Sequence, residues 1–320
     1  MIRVAVLDDY QGVASKMADW SVLGDHVQVS SFAQHLGDED QAVERLAGFD
    51  VICLMRERMR FPRSLIVRLP RLRLLAFTGL RHNTLDVAAA VAQGITVCST
   101  RGGETQHCTT EMTWALILAA ARHLPQEDRA IRAGRWQTTL GMTLQGRTLG
   151  ILGLGRLGSR VARIGHAFGM QVQAWSPTLD DARAALSDAR RVELDALFET
   201  SDVISIHLAM TEQTRHLVNA QRIARMRPGA ILVNTARGEI VDEDALVLAL
   251  QQKRLGGAAL DVFRQEPLPA SHPLLALDNV VLSPHLGYVT EETYRIFFHD
   301  TVENIACYLK GAPVRVVLPT

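Results

Sequence analysis

Short apolar runs alternate with longer stretches of helical period along the whole chain, the pattern of an α/β protein with parallel sheets. In the N-terminal third, runs over 2–8, 27–32, 51–55, 72–78 and 96–99 read as buried strands, two of them punctuated by Pro70 and Gly79. The spacing then predicts a long helix over 104–122, with Met112, Ala115, Leu116, Leu118 and Ala119 as its apolar stripe and Pro125 just past its end. A further helix is expected over 124–136, stopped near Gly134.

A second unit opens at the strand 148–152, which runs into a glycine-rich loop and a helix over 157–168. Strands follow at 171–175, 203–208, 230–234, 257–261 and 280–283, with helices between them, one over 242–252. That unit has then used its strands. The last helix, 291–309, and the apolar tail 314–318 are therefore expected to return to the first unit and make it discontinuous. The expected division is 1–101 plus 289–320 for one domain and 102–288 for the other. A chain of 320 residues suits two cores better than one.

Composition narrows the class of partner. Apolar residues make up 48% of the chain, and 34 basic side chains balance 34 acidic ones, so no net field draws nucleic acid or an anionic membrane. The cysteines Cys53, Cys98, Cys108 and Cys307 form no C-x-x-C pair, so free thiols in a reducing cytoplasm are expected. No apolar run reaches the ~20 residues that span a bilayer, and the N-terminus enters a strand directly, without a basic and apolar leader. A cytoplasmic protein with no nucleic-acid or membrane partner and no metal site is the expectation.

The glycine loop reads Gly153-Leu154-Gly155-Arg156-Leu157-Gly158, after a strand and at the start of a helix. In a dinucleotide site Gly153 permits the tight turn, Gly155 lets backbone approach the pyrophosphate, and Gly158 lets the helix pack closely on its strand. The N–H groups of the first helical turn then meet the phosphate charge. At the end of the second strand, Trp175-Ser176-Pro177, the acidic residue usual for NAD is replaced by Ser176. Ser can bond a ribose hydroxyl without repelling a 2′-phosphate, and Arg183 is within reach in sequence. NAD is the expected cofactor because no Arg adjoins Ser176; NADP stays open.

Three later segments carry reactive side chains, each just past a strand-like run. They are Asn234-Thr235-Ala236-Arg237-Gly238, Asp261-Val262-Phe263 running on to Glu266-Pro267, and Ser283-Pro284-His285-Leu286-Gly287. Reducing a 2-keto acid needs a forked cation for its carboxylate and carbonyl, and an acid that titrates near neutrality. Arg237 suits the first task and His285 the second, with Glu266 to hold the imidazole and favour its charged form. Singly, each has a plain structural reading: a surface ion pair, a solvated carboxylate, a helix cap. Their joint order after the glycine loop favours the chemical one.

With these motifs the chain resembles the D-isomer-specific 2-hydroxyacid dehydrogenases, the family of phosphoglycerate, glyoxylate/hydroxypyruvate and D-lactate dehydrogenases, over essentially its whole length. The resemblance implies that Arg237 binds substrate, that His285 is the acid/base and that Glu266 is its partner. It implies that Asp261 lies near the nicotinamide carboxamide. It also implies that Thr235, Ala236, His207 and Gly287 line the cofactor, along with Arg156, Leu157, Trp175, Ser176 and Pro177 around the glycine loop. Two Rossmann-like, doubly wound parallel-sheet domains follow from it: a flavodoxin-like, discontinuous substrate domain and a dinucleotide-binding domain. The active site is expected in the interdomain cleft, and the assembly as a homodimer formed through the cofactor domain. The implied reaction is NAD(P)-dependent interconversion of a small anionic D-2-hydroxy acid and its 2-keto acid.

Two departures bear on the substrate. The loop after 72–77 reads Thr78-Gly79-Leu80-Arg81-His82-Asn83, where the family commonly has a small, glycine-rich turn. Backbone N–H groups of Leu80 and Arg81 are still expected to hold the substrate carboxylate. The Arg81 side chain, with Arg56 and Arg58, suggests a second anionic group or a substrate larger than glyoxylate; an Arg81 turned to solvent is the alternative. Tyr288 stands where a small residue is more usual, and either narrows the pocket or packs against the last helix. Two other activities share this fold. A phosphite-type dehydrogenase is one, formate oxidation being disfavoured by Glu266 in place of Gln; a redox-sensing regulator or scaffold is the other.

Overall fold

The computed structural model describes every residue except Arg81, Glu104 and Thr320, and of Thr105 and Gln106 it describes the backbone alone. The chain divides into two compact units, Met1–Glu104 with Thr290–Thr320, and Thr105–Val289.

The first unit holds five parallel strands: β1 (Ile2–Val6), β2 (Val27–Ser31), β3 (Val51–Leu54), β4 (Leu74–Phe77) and β5 (Thr96–Cys98). Their order in the sheet is β2-β1-β3-β4-β5, so the strand order reverses between β1 and β3. That is the doubly wound flavodoxin-type order, in which ligands gather at the carboxyl ends of the strands. Its core is built from Leu7, Leu46, Ile52, Phe61, Leu75 and Phe77. The helix Glu291–Leu309 belongs to this unit and packs Phe298 at a tilt against Trp20, ring centroids 6.5 Å apart. Beyond it the tail pairs antiparallel to the free edge of β5, with Ser99 N donating to Arg315 O and Val317 N to Val97 O.

The second unit has seven parallel strands: β6 (Thr148–Leu152), β7 (Gln171–Trp175), β8 (Arg190–Arg191), β9 (Val203–Ile206), β10 (Ile231–Asn234), β11 (Gly257–Leu260) and β12 (Val280–Leu282). The order β12-β11-β10-β9-β6-β7-β8 is that of a dinucleotide-binding sheet, reversing between β6 and β9. Both faces are covered. Ile204, Ile206, Leu232 and Leu260 enter one core, while Val203, Val233, Ala259 and Ile151 enter the other. Alternate residues of continuous apolar runs thus serve two layers.

Strand ends differ from the sequence expectation by one or two residues, because the loops turn early: Asp8 already has φ 54. The strand β8 was not anticipated, since its two arginines are exposed at the sheet edge and carry no apolar signal. Among the described residues no helix is long and apolar enough to cross a membrane. None of the four cysteines is in a disulfide, and burial pushes the thiols of Cys53 and Cys98 up to about 12 and about 11.

Candidate active site

All the strands run parallel, so their carboxyl ends share one edge of each sheet. In the second unit, six loops at that edge carry the residues singled out in the sequence. The first leaves β6. Gly153 has φ 102, and a Cβ there would lie 2.7 Å from the carbonyl of His207, so only glycine lets the loop pass the end of β9. A Cβ on Gly158 would lie 2.1 Å from the carbonyl oxygen of Gly153, which explains the close seating of the helix Arg156–Ala167. Gly155 differs: a Cβ there would meet nothing within 4 Å. No protein atom requires that glycine. The open space beside the unpaired N–H groups of a helix start fits a phosphate approaching the backbone.

Two neighbours support this loop. Ser176 Oγ accepts a hydrogen bond from Leu154 N at 2.9 Å, so its hydroxyl is a strut of the glycine loop and retains one proton to donate. His207 pairs through Nε2 with Ser205 Oγ at 2.8 Å, and burial pushes its imidazole down to about 4, which leaves it neutral. Trp175 and Ser176 are half-buried at the end of β7, whereas Pro177 and Arg156 are exposed.

The Arg237 turn follows β10. Asn234 braces it from both sides: its Oδ1 accepts from Ala236 N at 3.0 Å and its Nδ2 donates to Arg237 O at 2.9 Å. The Arg237 guanidinium donates to Ala236 O at 2.7 Å and is half-buried. Thr235 Oγ1 lies 3.0 Å from Thr113 Oγ1. The single hydroxyl proton of Thr113 goes to Thr109 O, so Thr235 is the donor of that pair. A Cβ on Gly238 would fall 2.0 Å from the carbonyl carbon of Phe263. The turn carrying Arg237 is therefore in backbone contact with the loop that carries Glu266.

That loop presents Glu266 with a fixed carboxylate. Its Oε1 accepts from Phe263 N at 2.9 Å and its Oε2 lies 2.7 Å from His285 Nδ1. The imidazole thus donates from Nδ1, and Nε2 is left to exchange a proton. Both side chains are about one-third exposed, at 30% and 33%, so solvent and small solutes can reach them. His285 sits at φ 55, a left-handed conformation that a non-glycine residue holds only when its surroundings dictate it.

Asp261 dictates it. This carboxylate, 1% exposed, accepts from Leu286 N at 2.7 Å through Oδ1 and from Gly287 N at 2.8 Å through Oδ2, and Ser283 Oγ donates to Oδ1 as well. Burial raises its pKa, opposed by these donors. One lone pair of Oδ2 remains for a further donor. Thr109 Oγ1 donates to Gly287 O at 2.7 Å and closes the turn. Tyr288 is buried with its ring edge-on to His285, centroids 5.5 Å apart. Ser283 and Thr109 were missed in sequence, where a Ser before Pro and a Thr in a helix carry no distinguishing mark.

The remaining expected residues lie in the first unit. Arg56, at φ 52, donates its N–H to Thr78 Oγ1 at 2.8 Å and lays its guanidinium over Gly79, where a Cβ would be 2.3 Å from Nη1. Leu80 is 66% exposed on the same turn. Arg81 lies outside the described residues. Arg58 is turned elsewhere: it donates to Asp8 O and to Tyr294 Oη, the latter at 2.9 Å, over the ring of Tyr10.

The model of the D-isomer specific 2-hydroxyacid dehydrogenase NAD-binding domain matches residues 114–287, more than half of the chain. The chain belongs to the D-isomer-specific 2-hydroxyacid dehydrogenases. A glyoxylate reductase from Aeropyrum pernix is 43% identical over 257 residues, covering 78% of this chain and 76% of that protein. A D-3-phosphoglycerate dehydrogenase from Synechocystis is 36% identical over 279 residues, covering 87% of this chain but 50% of its own length. The chain thus spans about half of that relative. Among solved structures, a phosphoglycerate oxidoreductase from Vibrio cholerae superposes with a TM-score of 0.90 at 38% identity, covering 98% of this chain and all of that one. As a member of this family the protein is an oxidoreductase of the 2-hydroxyacid dehydrogenase type, with a nicotinamide dinucleotide as cofactor and a small 2-hydroxy or 2-keto acid as substrate.

Proposed function

We propose that this 2-hydroxyacid dehydrogenase interconverts a D-2-hydroxy acid and its 2-keto acid, with Arg237 fixing the carboxylate and carbonyl, His285 moving the proton and Glu266 stabilising the imidazolium. The observation that carries this reading is the 2.7 Å contact between His285 Nδ1 and a Glu266 carboxylate whose other oxygen is already fixed. A carboxylate held in that way takes the Nδ1 proton and keeps Nε2 as the exchanging nitrogen. The bound nicotinamide supplies or accepts the hydride. In reduction, Arg237 neutralises the acid and polarises its carbonyl, and His285 Nε2–H delivers the proton to the carbonyl oxygen. In oxidation, neutral His285 removes that proton.

The cofactor's residues on this reading are Gly153, Gly155, Gly158, Arg156, Leu157, Trp175, Ser176, Pro177, His207, Thr235, Ala236, Asp261 and Gly287. NAD is favoured, because the Arg183 guanidinium donates to Thr178 O and Ser176 carries no positive charge. Ser176→Asp is predicted to lower NADPH use by ~10-fold or more while NADH use holds, since a carboxylate repels a 2′-phosphate. Equal use of both cofactors by that variant would contradict the placement. The backbone N–H groups of Leu80 and Arg81 are assigned to the substrate's carboxylate, and the side chains of Arg56, Arg81 and Tyr288 to the rest of the substrate.

Steady-state reduction of glyoxylate, hydroxypyruvate, pyruvate, bulkier keto acids and dicarboxylates, each with NADH and NADPH, tests the whole. Turnover of at least one, lost by ~10²-fold or more in His285→Asn, is expected. No turnover with any of them, alongside retained dinucleotide binding, would point to a regulator instead.

A further inference from the structure

The loop that aims Glu266 at His285 has a second anchor, outside the residues so far given roles. Glu243, the first residue of the helix Glu243–Gln251, is 6% exposed, yet it stands where acidic residues usually face solvent and the helix dipole. Both of its oxygens point away from its own helix. Oε2 accepts from Arg264 N at 3.1 Å and Oε1 lies 3.2 Å from His272 Nε2. His272 Nδ1 accepts from Leu274 N at 3.3 Å, so the ring donates from Nε2 and the pair has one polarity. The Arg264 guanidinium is drawn to the same corner by Asp244, at 2.9 Å.

A buried carboxylate is retained only where its donors compensate the lost water. Here the donors sit at the two ends of the 264–272 segment, with Glu266 between them. The same helix begins six residues after Arg237, and Gly238 touches the backbone of Phe263 and Arg264. One side chain therefore registers both the arginine turn and the glutamate loop.

We propose that Glu243, through Arg264 N–H and His272, is a positioning residue that sets the Glu266 carboxylate against His285 Nδ1. The proposal rests on the acid/base reading of Glu266 and His285 given above. Groups that act through one another are non-additive, and a double-mutant cycle reads this directly.

The experiment compares wild type, Glu243→Gln, Glu266→Gln and the double variant in keto-acid reduction, with His272→Gln and His272→Leu approaching the pair from its other side. Glu243→Gln is expected to lower kcat ~5-fold with the KM for NADH unchanged, and to add little once Glu266 is already Gln. His272→Gln, which keeps an N–H near the Nε2 position, is expected to stay near wild type, while His272→Leu falls with Glu243→Gln. Deuterium uptake over 263–273 should rise in Glu243→Gln and His272→Leu, a readout independent of turnover. Losses that multiply fully in the double variant, or an unchanged kcat in both Glu243→Gln and His272→Leu, would overturn the inference alone. An unchanged kcat in Glu266→Gln would overturn the acid/base reading and the inference with it.

Discussion

A carboxylate steadies an imidazole only when its own rotamer is fixed, and in this protein the main chain does the fixing: Phe263 N–H holds one oxygen of Glu266 and leaves the other for His285. Other histidines are handled in the opposite way. Burial pushes His82 down to about 4, with Glu57 and Arg56 opposing each other nearby, and its Nδ1 lies 3.2 Å from Thr84 Oγ1. An imidazole with a depressed folded pKa contributes nothing to pH dependence above its unfolded value, about 6.5. As pH falls from there toward 4, the unfolded chain takes up a proton that the folded chain refuses, and stability drops. For His82 the loss is about 1–2 kcal/mol by pH 5. Thermal unfolding at pH 7.5 and pH 5 should thus show a smaller decline in His82→Asn than in wild type. Equal declines would contradict the burial account.

At the scale of elements, the site is a set of turns locked to one another by backbone contacts. A Cβ at position 238 would collide with the Phe263 carbonyl, so Gly238→Ala must part the arginine turn from the glutamate loop. Overpacking of this kind costs ~1–3 kcal/mol. A lowered melting temperature together with a reduced kcat is predicted, and a variant with wild-type kcat would show that the contact does not register the two turns. The sequence made the motifs themselves legible, because a glycine loop after a strand and an Arg, a Glu and a His after three more strands have local signatures. It did not reveal what Asp261 does to the His285 turn. That bond set exists only because β11 and β12 are neighbours, which no local pattern states. Glu243 was hidden for a similar reason, as one of three consecutive acids at a helix start. The strand β8 was invisible because an exposed edge of two arginines has no period to detect.

On the scale of the molecule, both sheet orders are those of doubly wound βαβ units, and each places its switch point at the carboxyl ends of the strands. Strand exhaustion is the ground on which the sequence places the last helix with the first sheet, whereas the pairing of residues 315–317 with β5 joins segments too far apart in the chain for any local pattern to state. The second unit leaves Trp136 74% and Leu140 95% exposed, together with Leu124 and Ile131. The central claim is that one imidazole, steadied by Glu266, gives the proton in reduction and takes it in oxidation. It is tested most directly by the pH dependence of kcat/KM in both directions with a single substrate pair. Reduction should weaken as pH rises and oxidation as pH falls, whereas identical profiles in the two directions would contradict the account.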